Sequence, residues 1–197
     1  VISIIPVNAV ETISISTKAN ISDIIGGKVV TFTVTESSLP LLIFGNQNIE
    51  EKQINCDISY KIKGPITKSG ILSTGEELIL DKEGSYEIQA KFANLLFSTN
   101  KSYQYNNYSE TITVEKLSTP EITYNGKYVS ITLDEEADIY YGIDETAPEN
   151  SSLYNGEFEI ETEDEIVTIT AIAVKDGYVT SDISKKNVVI TKEKNAD

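Results

Sequence analysis

Histidine, tryptophan, methionine and arginine are all missing from this chain, and cysteine occurs once, at Cys56. Without histidine there is no side chain of the kind most used as a general base near neutral pH, and the commonest metal ligand is lost as well. One cysteine permits neither an intrachain disulfide nor a thiolate metal cluster. We read Cys56 as a small buried apolar residue near a strand start, in preference to a reactive thiol. No apolar run approaches the roughly 20 residues that a membrane-spanning helix needs. Basic charge is scarce too: 16 lysines stand against 31 acidic residues, for a net charge of −15. That balance repels phosphate backbones and anionic membrane surfaces, so nucleic acid is not an expected partner. The same charge favours solubility of an exported protein. These absences point away from an enzyme and from a bound metal or cofactor.

What is present is strand signal. The 197 residues are 40% apolar, enough for real cores, and their length suits two small domains. Ile13 and Ile15 alternate within Thr12 to Ser16, and Gly26-Gly27 then turns the chain. Val30, Phe32 and Val34 follow on one face with three threonines on the other, a pattern suited to a pleated surface. Ile58, Tyr60 and Ile62 alternate up to Gly64-Pro65, and Leu78 and Leu80 come next. Gly84-Ser85-Tyr86 opens a further strand reaching Phe92, with Tyr86 where a tyrosine corner would sit. Ile112 and Val114 close the unit. Residues Lys116 to Pro120 lack alternation and end in proline, which marks a short boundary.

Beyond it, Val129, Ile131 and Leu133 alternate, as do Ile139, Tyr141 and Ile143. Ile166 to Val174 is apolar on both faces, as a central strand would be, and Val188 and Ile190 fall on a last strand. No segment shows a 3.6-residue period. The expected fold class is therefore all-β: two tandem immunoglobulin- or fibronectin-like antiparallel β-sandwiches. The expected limits are an N-terminal segment at 1–11, a first sandwich at 12–116, a second at 117–192 and a tail at 193–197. Val1 to Ala9 reads first as the end of a secretory signal. The other readings are a strand of the chain's own sandwich or one donated to a neighbouring subunit.

The second unit contains Ile139-Tyr140-Tyr141, then Asp144-Glu145-Thr146-Ala147-Pro148, Tyr154-Asn155-Gly156, and Ile169 to Gly177 with Ala171 and Ala173 between. In this order and spacing it resembles the bacterial chitobiase/β-hexosaminidase C-terminal domain, a fibronectin type III-associated sandwich. The resemblance runs from Pro120 to Ile190; Glu145 departs from it, standing where the family's turn carries glycine. It implies a sandwich fold, an accessory role without an active site, and an extracellular setting beside carbohydrate-active enzymes or in surface proteins. The first unit resembles bacterial immunoglobulin-like domains only in general, through Gly27 to Phe32 and Glu83 to Ile88.

Few residue groups suggest chemistry. Asp134, Glu135, Glu136 and Asp138 cluster, as do Glu161, Glu163, Asp164 and Glu165. Paired carboxylates can hydrolyse a glycoside when a cleft holds them at the right separation. In turns of a small sandwich we read them as solvated acids. Calcium is the better functional reading of turn acids, with Asp144, Glu145, Glu149 and Asn150 as candidate ligands, although no EF-hand pattern is present. Tyr103, Tyr105 and Tyr108 lie in the polar segment Lys101 to Glu110, where exposed rings could stack on sugar; rings leaning on the sandwich are the preferred reading. An intramolecular Lys–Asn isopeptide bond lacks its flanking motifs. Asn20, Asn100, Asn107 and Asn150 each begin an Asn-x-Ser triplet, which matters only in a glycosylating host. No residue is therefore assigned as catalytic, cofactor-binding or metal-binding.

Three functions remain. The first is a non-catalytic structural spacer or adhesive segment of a prokaryotic secreted or cell-surface protein. The second is an accessory module of a secreted glycan-degrading enzyme. The third is a self-assembling surface subunit using an N-terminal donor strand. The expected partners are other surface proteins or an extracellular glycan.

Overall fold

The computed structural model describes residues 10–39, 50–144, 151–162 and 165–190. All the regular structure among them is β, as the alternation predicts. Two compact units emerge, one built from residues 1–22, 29–80 and 84–113, the other from 23–28, 81–83 and 114–197. The donor-strand reading and the signal reading fall on residues 1–9, which lie outside the described residues.

In the first unit, one sheet has the order β3-β2-β1-β8, with β6 also on β2. Its strands are β1 (Thr12–Ile24), β2 (Gly27–Leu39), β3 (Glu51–Ile54), β6 (Glu77–Leu80) and β8 (Ser102–Asn106). The facing sheet runs β9-β7-β4-β5, from β4 (Asp57–Lys63), β5 (Lys68–Ser73), β7 (Gly84–Ala93) and β9 (Tyr108–Lys116). The alternation sets the two inner faces. Ile13, Ile15, Val30, Phe32 and Val34 are buried from one side, and Ile58, Tyr60, Ile62, Tyr86, Ile88 and Ala90 from the other. Each fully buried side chain of this size contributes about 1.5–3 kcal/mol. Thr31, Thr33 and Thr35 are half-buried, not water-facing, because β2 lies inside its sheet with β1 and β3 on its flanks.

The turns of this unit interlock. A Cβ on Gly64 would strike the Ser85 carbonyl oxygen, and one on Gly84 would lie 2.6 Å from Pro65 Cγ. Glycine at both positions lets the β4–β5 turn close against the start of β7. Glu11, just before β1, is built onto the unit: its carboxylate accepts from Ser38 Oγ at 2.9 Å and pairs with Lys101 at 3.3 Å. These bonds hold its carboxyl below the ordinary range.

The second unit packs β10-β11-β14 against β13-β12-β15-β17. The strands are β10 (Glu121–Tyr124), β11 (Tyr128–Thr132), β12 (Asp138–Ile143), β13 (Ser152–Leu153), β14 (Phe158–Glu159), β15 (Ile166–Val174), the short β16 (Tyr178–Val179) and β17 (Ser184–Val189). Ile122, Val129, Ile131, Ile160, Val167, Ile169, Ala171 and Val188 form the core. β15 lies between β12 and β17 and is buried on both faces, as its unbroken apolar run predicts. Ile143, the last residue of β12, departs from the expected alternation and is 38% exposed. The boundary segment is not bare either: Leu117 is buried and its N–H donates to Val179 O at 3.0 Å.

Candidate functional site

The acids of the β11–β12 connection do not assemble a catalytic pair. Glu135 accepts from the Ser118 N–H at 2.5 Å and from Ser118 Oγ at 2.7 Å. Those bonds stabilise its charged form and hold its carboxyl below the ordinary range, the reverse of what a general acid needs. Asp134, Glu136 and Asp138 are exposed, and Glu136 and Asp138 face an open depression that also holds Lys175 and Asp176. Of the other group, Glu161 and Glu165 are exposed, while Glu163 and Asp164 lie outside the described residues. Among the described residues, no three acidic or thiol side chains converge closely enough to hold a metal ion.

Asp144, one of the candidate calcium ligands, is engaged in the backbone of its own sheet. It takes a positive φ of 56°, which a short polar side chain tolerates. Its N–H donates to Thr168 O at 2.7 Å, and its Oδ1 accepts from Thr168 N at 2.8 Å. The residue thus closes the β12–β15 ladder. Glu145, Glu149 and Asn150 lie outside the described residues.

The polar segment Lys101 to Glu110 is strand on either side of Asn107, ending β8 and opening β9. β8 runs parallel to β1, with Tyr103 opposite Ile13 and Tyr105 opposite Ile15. That register puts both rings on the buried side of the sheet, at its edge. There they meet two phenylalanines: Phe97 lies 4.6 Å from Tyr103 and Phe92 5.2 Å from Tyr105, centroid to centroid. Tyr103 Oη accepts from Ser98 N at 3.1 Å. The rings therefore lean on the sandwich, yet Tyr105 stays 49% and Phe97 37% exposed, beside a fully exposed Leu96. Phe97 and Leu96 escaped the sequence reading because they sit in the irregular stretch between β7 and β8; the alternation of Tyr103, Gln104 and Tyr105 was the available signal for β8. Tyr108 turns inward on β9, its ring edge-on to Phe32 at 5.8 Å and its hydroxyl 3.3 Å from Glu110 Oε2. Burial, with Glu110 beside it, pushes its phenol up to about 12.

Cys56 immediately precedes β4, as expected, but it is half-buried rather than buried, lying outside the strand's alternating inner face. Burial pushes its thiol up, which leaves it protonated and a poor nucleophile. Asn20, Asn100 and Asn107 are exposed; Asn150 lies outside the described residues.

The motif residues of the second unit turn out to hold its two sheets together. Tyr154 N donates to Ile139 O at 2.8 Å, while its hydroxyl accepts from Ile131 N on the opposite sheet at 3.1 Å. Its ring lies edge-on to Tyr141 at 6.3 Å and to Phe158 at 6.5 Å, and those two stack at 4.4 Å. Ala171 and Ala173 are fully buried on β15, where larger side chains would not fit without moving a neighbouring element. Gly156 and Gly177 take positive φ of 140° and 84°. Buried Ser181 accepts from Ala173 N and donates to Asp182 O, both at 2.8 Å.

A module whose distinctive residues serve its own packing belongs to the structural class of β-sandwiches. Residues 118–185 match the family model of the chitobiase/beta-hexosaminidase C-terminal domain, over the segment where the motif lies. No curated protein matches the chain.

Proposed function

We propose that this chain is a pair of non-catalytic β-sandwich modules acting outside the cell, as a spacer or adhesive segment of a prokaryotic surface or secreted protein. The observation that carries this reading is the match of residues 118–185 to an accessory domain, with the matched tyrosine, alanine and glycine positions engaged in the module's own core and turns. Side chains committed to packing leave the module's role to its shape and surface. A module swap tests it. Where this chain is part of a displayed protein, replacing residues 12–192 with an unrelated sandwich pair of equal length preserves display if spacing is the role. Loss of function in a folded swap would show that specific surface residues are required.

A second reading, an accessory module of a secreted glycan-degrading enzyme, is favoured by the same family match. A pull-down on insoluble polysaccharides tests it: retention of the folded chain supports glycan targeting, and free passage through every polymer removes it.

A further inference from the structure

The outer face of the β9-β7-β4-β5 sheet carries a groove of about 440 Å³ lined by Ser59, Lys61, Gln89, Lys91, Asn107 and Ser109, with Tyr108 at its wall. Its volume falls in the range of about 300–1,000 Å³ usual for ligand sites. No carboxylate lines it, in a chain with 31 acidic residues. The register explains the composition. Ser59 pairs with Lys91 and Lys61 with Gln89 across β4 and β7, so the two lysines are diagonal neighbours on one face. Such neighbours lie about 7–8 Å apart.

Among the described residues, Lys18, Lys28, Lys101, Lys116 and Lys127 are lysines that hold carboxylates in ion pairs. Lys61 and Lys91 hold none among the described residues, and both are exposed. Around them stand two amides and two hydroxyls, which can donate to and accept from sugar hydroxyls alike. Ile71, paired with Ser59 in the β4–β5 register and 56% exposed, adds apolar surface to the same sheet.

We infer that this face binds an acidic polysaccharide, its carboxylates paired with Lys61 and Lys91 and its hydroxyls bonded to Gln89, Asn107 and the two serines. A protein partner fits less well, since it would need about 800 Å² of surface with an apolar centre. The inference gives the adhesive reading a ligand class and rests on the chain working outside the cell.

The test is binding of the whole chain to polygalacturonate and to its methyl ester, which keeps the backbone and removes the charge. An ionic strength near 0.15 M, with a Debye length of about 8 Å, screens repulsion by the chain's net charge while leaving close pairs intact. Expected are binding to the acid form only, a loss of about tenfold or more in the K61A/K91A variant, and retention in K61R/K91R. Equal binding of the ester, undiminished binding of K61A/K91A, or no binding by the folded wild type would overturn the site. So would a wild-type dimer in sedimentation that K61A/K91A dissolves, since the face would then serve a second copy of this chain. None of these outcomes bears on the spacer reading, which the module swap decides separately.

Discussion

The hydroxyl of Tyr154 accepts a hydrogen bond from the backbone N–H of Ile131, 3.1 Å away on the facing sheet, so one side chain ties the two layers of the second unit. Tyr154→Phe keeps the ring contacts and strands that N–H, which should cost about 1–3 kcal/mol. Tyr154→Ala also removes the ring from Tyr141 and Phe158 and should cost about 3–5 kcal/mol. Urea unfolding of both variants checks the order; equal losses would mean that the ring contacts contribute nothing beyond the hydrogen bond.

In the first unit, Gly64→Ala places a methyl against the Ser85 carbonyl, and no flexible side-chain end is there to yield. The expected loss is about 2–3 kcal/mol, as for other strained backbone positions. Gly126→Ala is the control: it has open space around it but a positive φ of 97°, so only the conformational cost of about 1 kcal/mol should appear. Thermal unfolding separates the two.

Phe97→Ala tests what the aromatic cluster does. With its ring against Phe92, Tyr103 and Tyr105, the substitution should destabilise the first unit by about 1.5–3 kcal/mol, less than a fully buried ring because Phe97 is 37% exposed. Retention on polygalacturonate should not change. Unchanged stability with lost retention would make the cluster a sugar platform.

Strands whose apolar residues alternate were legible in the sequence, because period 2 is enforced wherever one face is buried. Val30, Phe32 and Val34, and likewise Ile58, Tyr60 and Ile62, show it directly. β8 was not, because its inward residues are tyrosines separated by amides and its partner β1 lies some ninety positions back. Short strands such as β13 and β14 carry only two residues each, too few for any period. Leu117 offered a single apolar residue, and a lone one gives no direction. The second unit's motif was visible as spacing, whereas the task of Tyr154 depends on a cross-sheet bond that spacing does not reveal. Lys61 and Lys91 drew no notice, since their shared face follows from the β4–β7 register alone.

Tyr108 should ionise well above the ordinary phenol range. Its folded-state value is raised from 10.0 to about 12. The associated stability is therefore fully present below pH about 10 and is lost as pH rises through about 12. A spectrophotometric titration to high pH should lose a late component in Tyr108→Phe relative to the parent chain. A late region of the curve that the substitution leaves unchanged would contradict the placement of the ring against Phe32.

Location tests the central claim most directly, because a spacer or adhesive segment works only outside the cytoplasm. Intact source cells treated briefly with protease, and their culture medium, should yield peptides of this chain by mass spectrometry while a cytoplasmic marker protein stays uncleaved. Recovery of the chain solely from the lysed cytosolic fraction, protected in intact cells, would contradict the account.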